Sequence, residues 1–137
     1  MPPVFAKLNL KDQDPILVID APASFEPTLQ ALEGMTVLRD PAGAASVAFA
    51  LAFVTTQRGL DAISALLADK TEGDAVLWFA YPKGSSRRYR CEFNRDSGWD
   101  VIRARGFDSV RQVAIDEDWS ALRFRPTGHI GRAPPRR

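Results

Sequence analysis

Cysteine occurs once in 137 residues, as Cys91, and histidine once, as His129. A single thiol excludes an internal disulfide framework and a zinc site built from several thiolates, and it suits a reducing compartment such as the cytoplasm. The lone histidine lies close to the C-terminus, which leaves no Ser–His or Cys–His couple and no multi-histidine metal site in view. Catalytic residues, a metal set and a cofactor are therefore not assigned. Long hydrophobic runs are missing too. The longest, residues 42–54, is interrupted by Ser46 and falls short of the roughly 18 residues a membrane helix needs. The opening Met1-Pro2-Pro3-Val4-Phe5 lacks the basic region and apolar stretch of a signal peptide. No membrane partner and no export are expected. Nor is there an excess of one charge: the net value of +1 is far from the strongly basic character of a dedicated nucleic-acid binder.

What is present is the balance of an ordinary globular chain, 45% hydrophobic and 26% charged, enough to bury a core without disulfides. Residues 1–127 read as one domain. Residues 128–137, with Pro134, Pro135, His129, Arg132, Arg136 and Arg137, read as a flexible tail. Charge is polarised: residues 1–69 hold four basic and eight acidic side chains, and residues 70–137 hold fourteen and nine. Such asymmetry favours an anionic partner on the C-terminal half.

Ile16-Leu17-Val18-Ile19-Asp20 is a short, β-branched apolar run that suits a strand buried on both faces. Ser24 is placed to cap a following helix that Gly34 stops. Residues 35–39 and 49–54 give a second and third strand. Thr55 or Thr56 then caps a helix with Leu60, Ile63, Leu66 and Leu67 on one face, ending near Gly73. Residues 75–81 form the most hydrophobic strand, expected at the centre of the sheet. A loop over 82–90 and a short helix around Trp99 and Ile102 lead to strands at 110–115 and 121–124. The tight link between these last two forces an antiparallel return. Strands alternating with helices and closing on a hairpin predict a Rossmann-like three-layer α/β domain with about six mainly parallel strands.

Three stretches, Trp78-Phe79-Ala80-Tyr81-Pro82-Lys83, Phe93-Asn94-Arg95-Asp96-Ser97-Gly98-Trp99 and residues 113–124, make the chain resemble an uncharacterised bacterial family classed as a domain of unknown function. The likeness extends more weakly over residues 15–125, and no activity comes with it. The predicted strand order also resembles a shortened methyltransferase fold, which implies a cofactor at the carboxyl ends of strands one and two. The turn in that place, Asp20-Ala21-Pro22-Ala23-Ser24, has no glycine to let the backbone approach one.

In open sheets of this type ligands bind outside the carboxyl ends of the strands, at the point where the connections reverse direction, here between strands one and three. That edge collects Asp20, Asp40, Thr55 and Lys83 as candidate ligand contacts. Both aspartates stand where ribose-binding carboxylates sit in nucleotide sites, although aspartate is also common wherever a strand gives way to a turn. The loop Lys83-Gly84-Ser85-Ser86-Arg87-Arg88-Tyr89-Arg90 adds Lys83, Gly84, Ser85, Arg87 and Arg88 as contacts for an anion, its backbone donors forming a nest; the plain alternative is a solvated basic loop. The acidic turn Asp116-Glu117-Asp118 lacks any ligand-loop spacing and is better read as a partner for nearby arginines. Trp99 and Trp119 read as packing, and Cys91 as an inert packing residue despite its arginine neighbours.

The missing glycine turn and the missing catalytic set favour a non-enzymatic binding or accessory domain, for a small anion, a nucleotide-like ligand or a protein partner. The alternatives are a degenerate methyltransferase-like enzyme and, less favoured, a nucleic-acid-associated protein using Arg87, Arg88, Arg90 and the tail. An exposed sheet edge at strand two leaves homo-oligomer formation open.

Overall fold

The computed structural model describes residues 1–130. Six strands form one sheet in the order β2-β1-β3-β4-β6-β5, where β1 is Ile16–Ile19, β2 Val37–Leu38, β3 Val47–Phe53, β4 Thr71–Pro82, β5 Phe107–Ala114 and β6 Trp119–Pro126. β2, β1, β3 and β4 run parallel; β6 alone is antiparallel to both of its neighbours, β4 and β5. This is the mainly parallel Rossmann-like sheet with one reversed strand. β1 pairs with β2 on one side and β3 on the other, so the connections reverse between β1 and β3 as expected.

Period-two alternation along the strands builds two cores. Leu17, Leu77, Phe79 and Phe124 turn to one face, beneath α3 (Gln57–Lys70) and α4 (Asp100–Ala104), where Leu60, Leu67 and Ile102 meet them. Ile16, Val18, Phe49 and Trp78 turn to the other, beneath α1 (Pro3–Lys7) and α2 (Glu26–Gln30), where Phe5, Leu8 and Leu29 cover them. All four residues of β1 are buried, as a strand covered on both faces requires.

The details differ from expectation in several places: α2 ends at Gln30, short of Gly34, and β5 starts at Phe107, ahead of residue 110. α1 was not foreseen; five residues are too few to show helical periodicity, and the segment is held by tertiary contacts, including a bond donated by Trp78 Nε1 to the Leu8 carbonyl at 2.7 Å. Ser24 does not cap a helix: it lies inside a 3-10 turn, Ala23–Phe25, that runs into α2. α3 ends at Lys70 rather than near Gly73, because Gly73, with φ of 57°, sits inside the irregular start of β4 and supplies the left-handed conformation there. The expected tail begins with a 3-10 turn, Thr127–His129, and its residues 131–137 lie outside the described residues. Among the described residues no helix is long and apolar enough to cross a membrane.

Candidate functional site

Two clefts open at the carboxyl edge of the sheet. The first, of about 220 Å³, lies where β1 and β3 diverge and is lined by Asp20, Phe53, Thr55, Thr56, Gly59 and Trp119, among others. Asp20 is the first residue after β1, and its φ of 57° is left-handed backbone that a non-glycine residue seldom adopts. Aspartate is one of the few side chains that tolerates it, so the sharp exit from β1 is made without glycine. On the opposite wall Thr56 Oγ1 accepts from the Gly59 amide at 3.0 Å, starting α3, while Glu92 accepts from the Gln57 amide at 2.8 Å. Trp119, the first residue of β6, is 3% exposed, yet its indole Nε1 is buried with no hydrogen-bond partner. A buried donor left unmatched costs on the order of 1–3 kcal/mol. Sequence reasoning took Trp119 as packing alone; its ring does pack, edge-on to Phe53 at 5.1 Å, but the unmatched N–H was not visible in the residue pattern.

The second cleft is larger, about 650 Å³, and lies between the segment leaving β4 and the ends of β5 and β6. Tyr81, Lys83, Gly84, Arg90, Arg95 and Gln112 contribute to its walls. Trp119 lines the first cleft and Ser120 the second, so the start of β6 divides them. The wall over residues 91–99 is tied to α3 by Gln57 Nε2, which donates to the Gly98 carbonyl at 2.8 Å, and is closed on itself by Trp99 Nε1, which donates to the Asn94 carbonyl at 2.7 Å.

The predicted contacts are thus distributed rather than gathered. Asp20 and Thr55 line the first cleft, Lys83 and Gly84 the second. Ser85, Arg87 and Arg88 lie on the outer side of their loop, around a shallow hollow shared with Glu117 and Asp118. Asp40 lines neither cleft; it is exposed and its Oδ1 accepts from the Ala42 amide at 2.9 Å, capping a 3-10 turn. The hydroxyl that organises the basic loop is Ser86, not Ser85: its Oγ donates to Asp118 Oδ1 at 2.9 Å and accepts from the Tyr89 amide at 3.2 Å. The acidic turn therefore does partner the basic loop, with Arg88 Nε also 3.9 Å from Asp118. That pairing dilutes the positive field around Arg87 and Arg88 on which a nucleic-acid reading relies. Cys91 is half-buried, and burial pushes its thiol above the ordinary range, so the nearby arginines do not activate it.

No family model and no curated protein matches the chain. Solved structures do match. A SAM dependent methyltransferase from Aquifex aeolicus aligns with a TM-score of 0.61 at 13% identity, over 90% of this chain and 87% of that one. The N-methyltransferase NodS from Bradyrhizobium japonicum WM9 aligns with a TM-score of 0.54 at 12% identity, over 90% and 92%. A putative type 11 methyltransferase from Sulfolobus solfataricus gives 0.52 at 7%, over 87% and 75%. This is a methyltransferase-like fold. The expectation of a non-enzymatic binding or accessory domain is corrected by these neighbours, whose names are those of enzymes and whose shape this chain shares along most of its length. That expectation leaned on the absent glycine turn; the chain leaves β1 through a left-handed Asp20 instead.

Proposed function

We propose that the chain is a reduced methyltransferase-like enzyme, with a nucleotide-like ligand of the adenosylmethionine type at the β1–β3 cleft. The observation that carries this reading is the first cleft itself: a reversal point in the sheet with an exposed, left-handed Asp20 at its mouth. The exposed Asp20 carboxylate fits the group as an acceptor for hydroxyl or amino groups, and the buried Trp119 side chain closes the wall of the cleft. Asp40, which lines neither cleft and caps a 3-10 turn, is left out of this ligand's contacts. When bound, adenosylmethionine supplies an electrophilic methyl group. Thr55 and Gly59 shape the wall against which such a ligand would rest, and Lys83 faces the neighbouring cleft, where an acceptor would lie. The single thiol supports a reducing, intracellular setting for this activity, and residues 1–127 would carry it as one domain.

Calorimetric titration with adenosylmethionine and its demethylated product tests the reading. Saturable binding is expected, weakened about fivefold by Asp20→Ala, since one hydrogen bond is worth roughly 1 kcal/mol. Absence of binding for both compounds at about millimolar concentration would overturn it.

A further inference from the structure

The larger cleft has a chemistry of its own. Lys83, Arg90 and Arg95 line it, and no aspartate or glutamate does. Of the acids closest in the chain, Glu92 accepts from the Gln57 amide and Asp118 from the Ser86 hydroxyl, while Asp96 sits 3.3 Å from Arg95 Nε in a pair exposed on both sides. Such an exposed pair holds Arg95 only weakly. Neither Lys83 nor Arg90 has a carboxylate within 4.0 Å among the described residues. Two unneutralised cations and a weakly held third therefore face one concavity in a chain of net charge +1.

Its inner wall is aromatic and carries an oriented donor. Tyr81 is 4% exposed, with its ring 5.8 Å from Phe93, and Tyr89 forms another side. Gln112 Nε2 donates to the Tyr81 hydroxyl oxygen at 2.9 Å. Because that bond uses a lone pair, the phenol proton stays available for an acceptor. Burial also keeps the phenol protonated well beyond neutral pH.

We propose that this cleft binds a small organic anion, a carboxylate or phosphate monoester on a flat apolar body, with Lys83 and Arg90 holding the charge and Tyr81 donating to one of its oxygens. A cationic rim over an aromatic wall selects for both parts of such a molecule, and the volume lies within the range of small-molecule sites. Naming this anion as the methyl acceptor rests on the methyltransferase reading; its binding does not.

The test is calorimetric titration of the full chain with phenyl phosphate, benzoate, inorganic phosphate and the neutral benzyl alcohol. Phenyl phosphate or benzoate is expected to saturate, with benzyl alcohol and inorganic phosphate each at least about tenfold weaker. Lys83→Gln combined with Arg90→Gln should weaken the anion about tenfold or more, and Tyr81→Phe by roughly threefold, with unchanged circular dichroism. Arg87→Gln, on the outer side of the loop, should leave affinity unchanged. Equal binding of the neutral alcohol, unaltered affinity in the double variant, or no saturation by any anion up to about 10 mM would each overturn the proposal. Adenosylmethionine titrated into the same variants separates the two readings. Anion binding without adenosylmethionine binding removes the methyl acceptor role and leaves the site standing; the converse removes the site alone.

Discussion

At the scale of single residues, Asp20 and Tyr81 carry unusual states for simple reasons. Asp20 holds a φ of 57°, where a Cβ costs roughly 1 kcal/mol or more and a β-branched one costs most. Asp20→Gly removes that cost but loosens the unfolded chain by a similar amount, so stability should stay within about 0.5 kcal/mol of the parent. Asp20→Val should lower it by about 1–2 kcal/mol in chemical denaturation, and equal midpoints for the two variants would show that the turn is not strained. For Tyr81, burial pushes the phenol up to about 12 from its ordinary 10.0. The unfolded state then loses its proton first, so the folded state binds more protons between these values and stability falls as pH rises from 10 towards 12. Tyr81→Phe should flatten that part of the stability curve. If the alkaline fall persists in the variant, another group is responsible.

At the scale of elements, the stretch from β4 to α4 shows how a loop becomes a wall. Gly98, with φ of 101°, stands where an added Cβ would come within 2.6 Å of Phe93 Cβ and 2.7 Å of Gln57 Oε1. Gln57 ties this wall to α3 through its Nε2, and Phe93 lines the larger cleft. Gly98→Ala combines a forbidden contact with a strained backbone, and is expected to cost about 2–4 kcal/mol and to abolish anion binding. Denaturation and titration of the one variant measure both. Retention of full stability would mean that the wall yields freely. The stretch Phe93 to Trp99 was legible in the sequence as distinctive, but not as a cleft wall, because its shape depends on Gln57 of α3, whose backbone amide donates to the adjoining Glu92 and whose side chain donates to Gly98.

At the scale of the whole molecule, the three layers depend on the first ten residues. α1 covers the face of the sheet opposite α3, with Phe5 and Leu8 fully buried and Trp78 bonded to the Leu8 carbonyl. Phe5→Ala should therefore lower stability by about 3–5 kcal/mol, a large share of the roughly 5–15 kcal/mol available to a domain. A calorimetric scan with little change in Tm would show that α1 is an ornament to the core. Charge is arranged on the same scale. The acidic N-terminal half carries the first cleft apart from Trp119, and the basic C-terminal half carries the second. A chain of nearly balanced charge thereby presents a locally cationic cleft.

The order of the strands and of α3 was determined by the sequence alone, because apolar runs of strand length, one amphipathic helix and a link too short for a parallel crossover admit few other arrangements. It placed Asp20, Asp40, Thr55 and Lys83 together on the carboxyl edge, where the structure separates Lys83 into a second cleft and leaves Asp40 outside both. Tertiary structure decided the rest. Whether Ser85 or Ser86 organises the basic loop turns on where Asp118 arrives from β6, a residue 32 positions away from Ser86. Whether Arg87 and Arg90 face one ligand turns on that same bend, which sends Arg87 outward and Arg90 into the cleft. The unmatched indole of Trp119 exists only because β6 inserts beside β4 and buries it. Local pattern sets which residues lie inside and along which edge; direction and partner are set by contacts between segments distant in the chain, which no local pattern encodes.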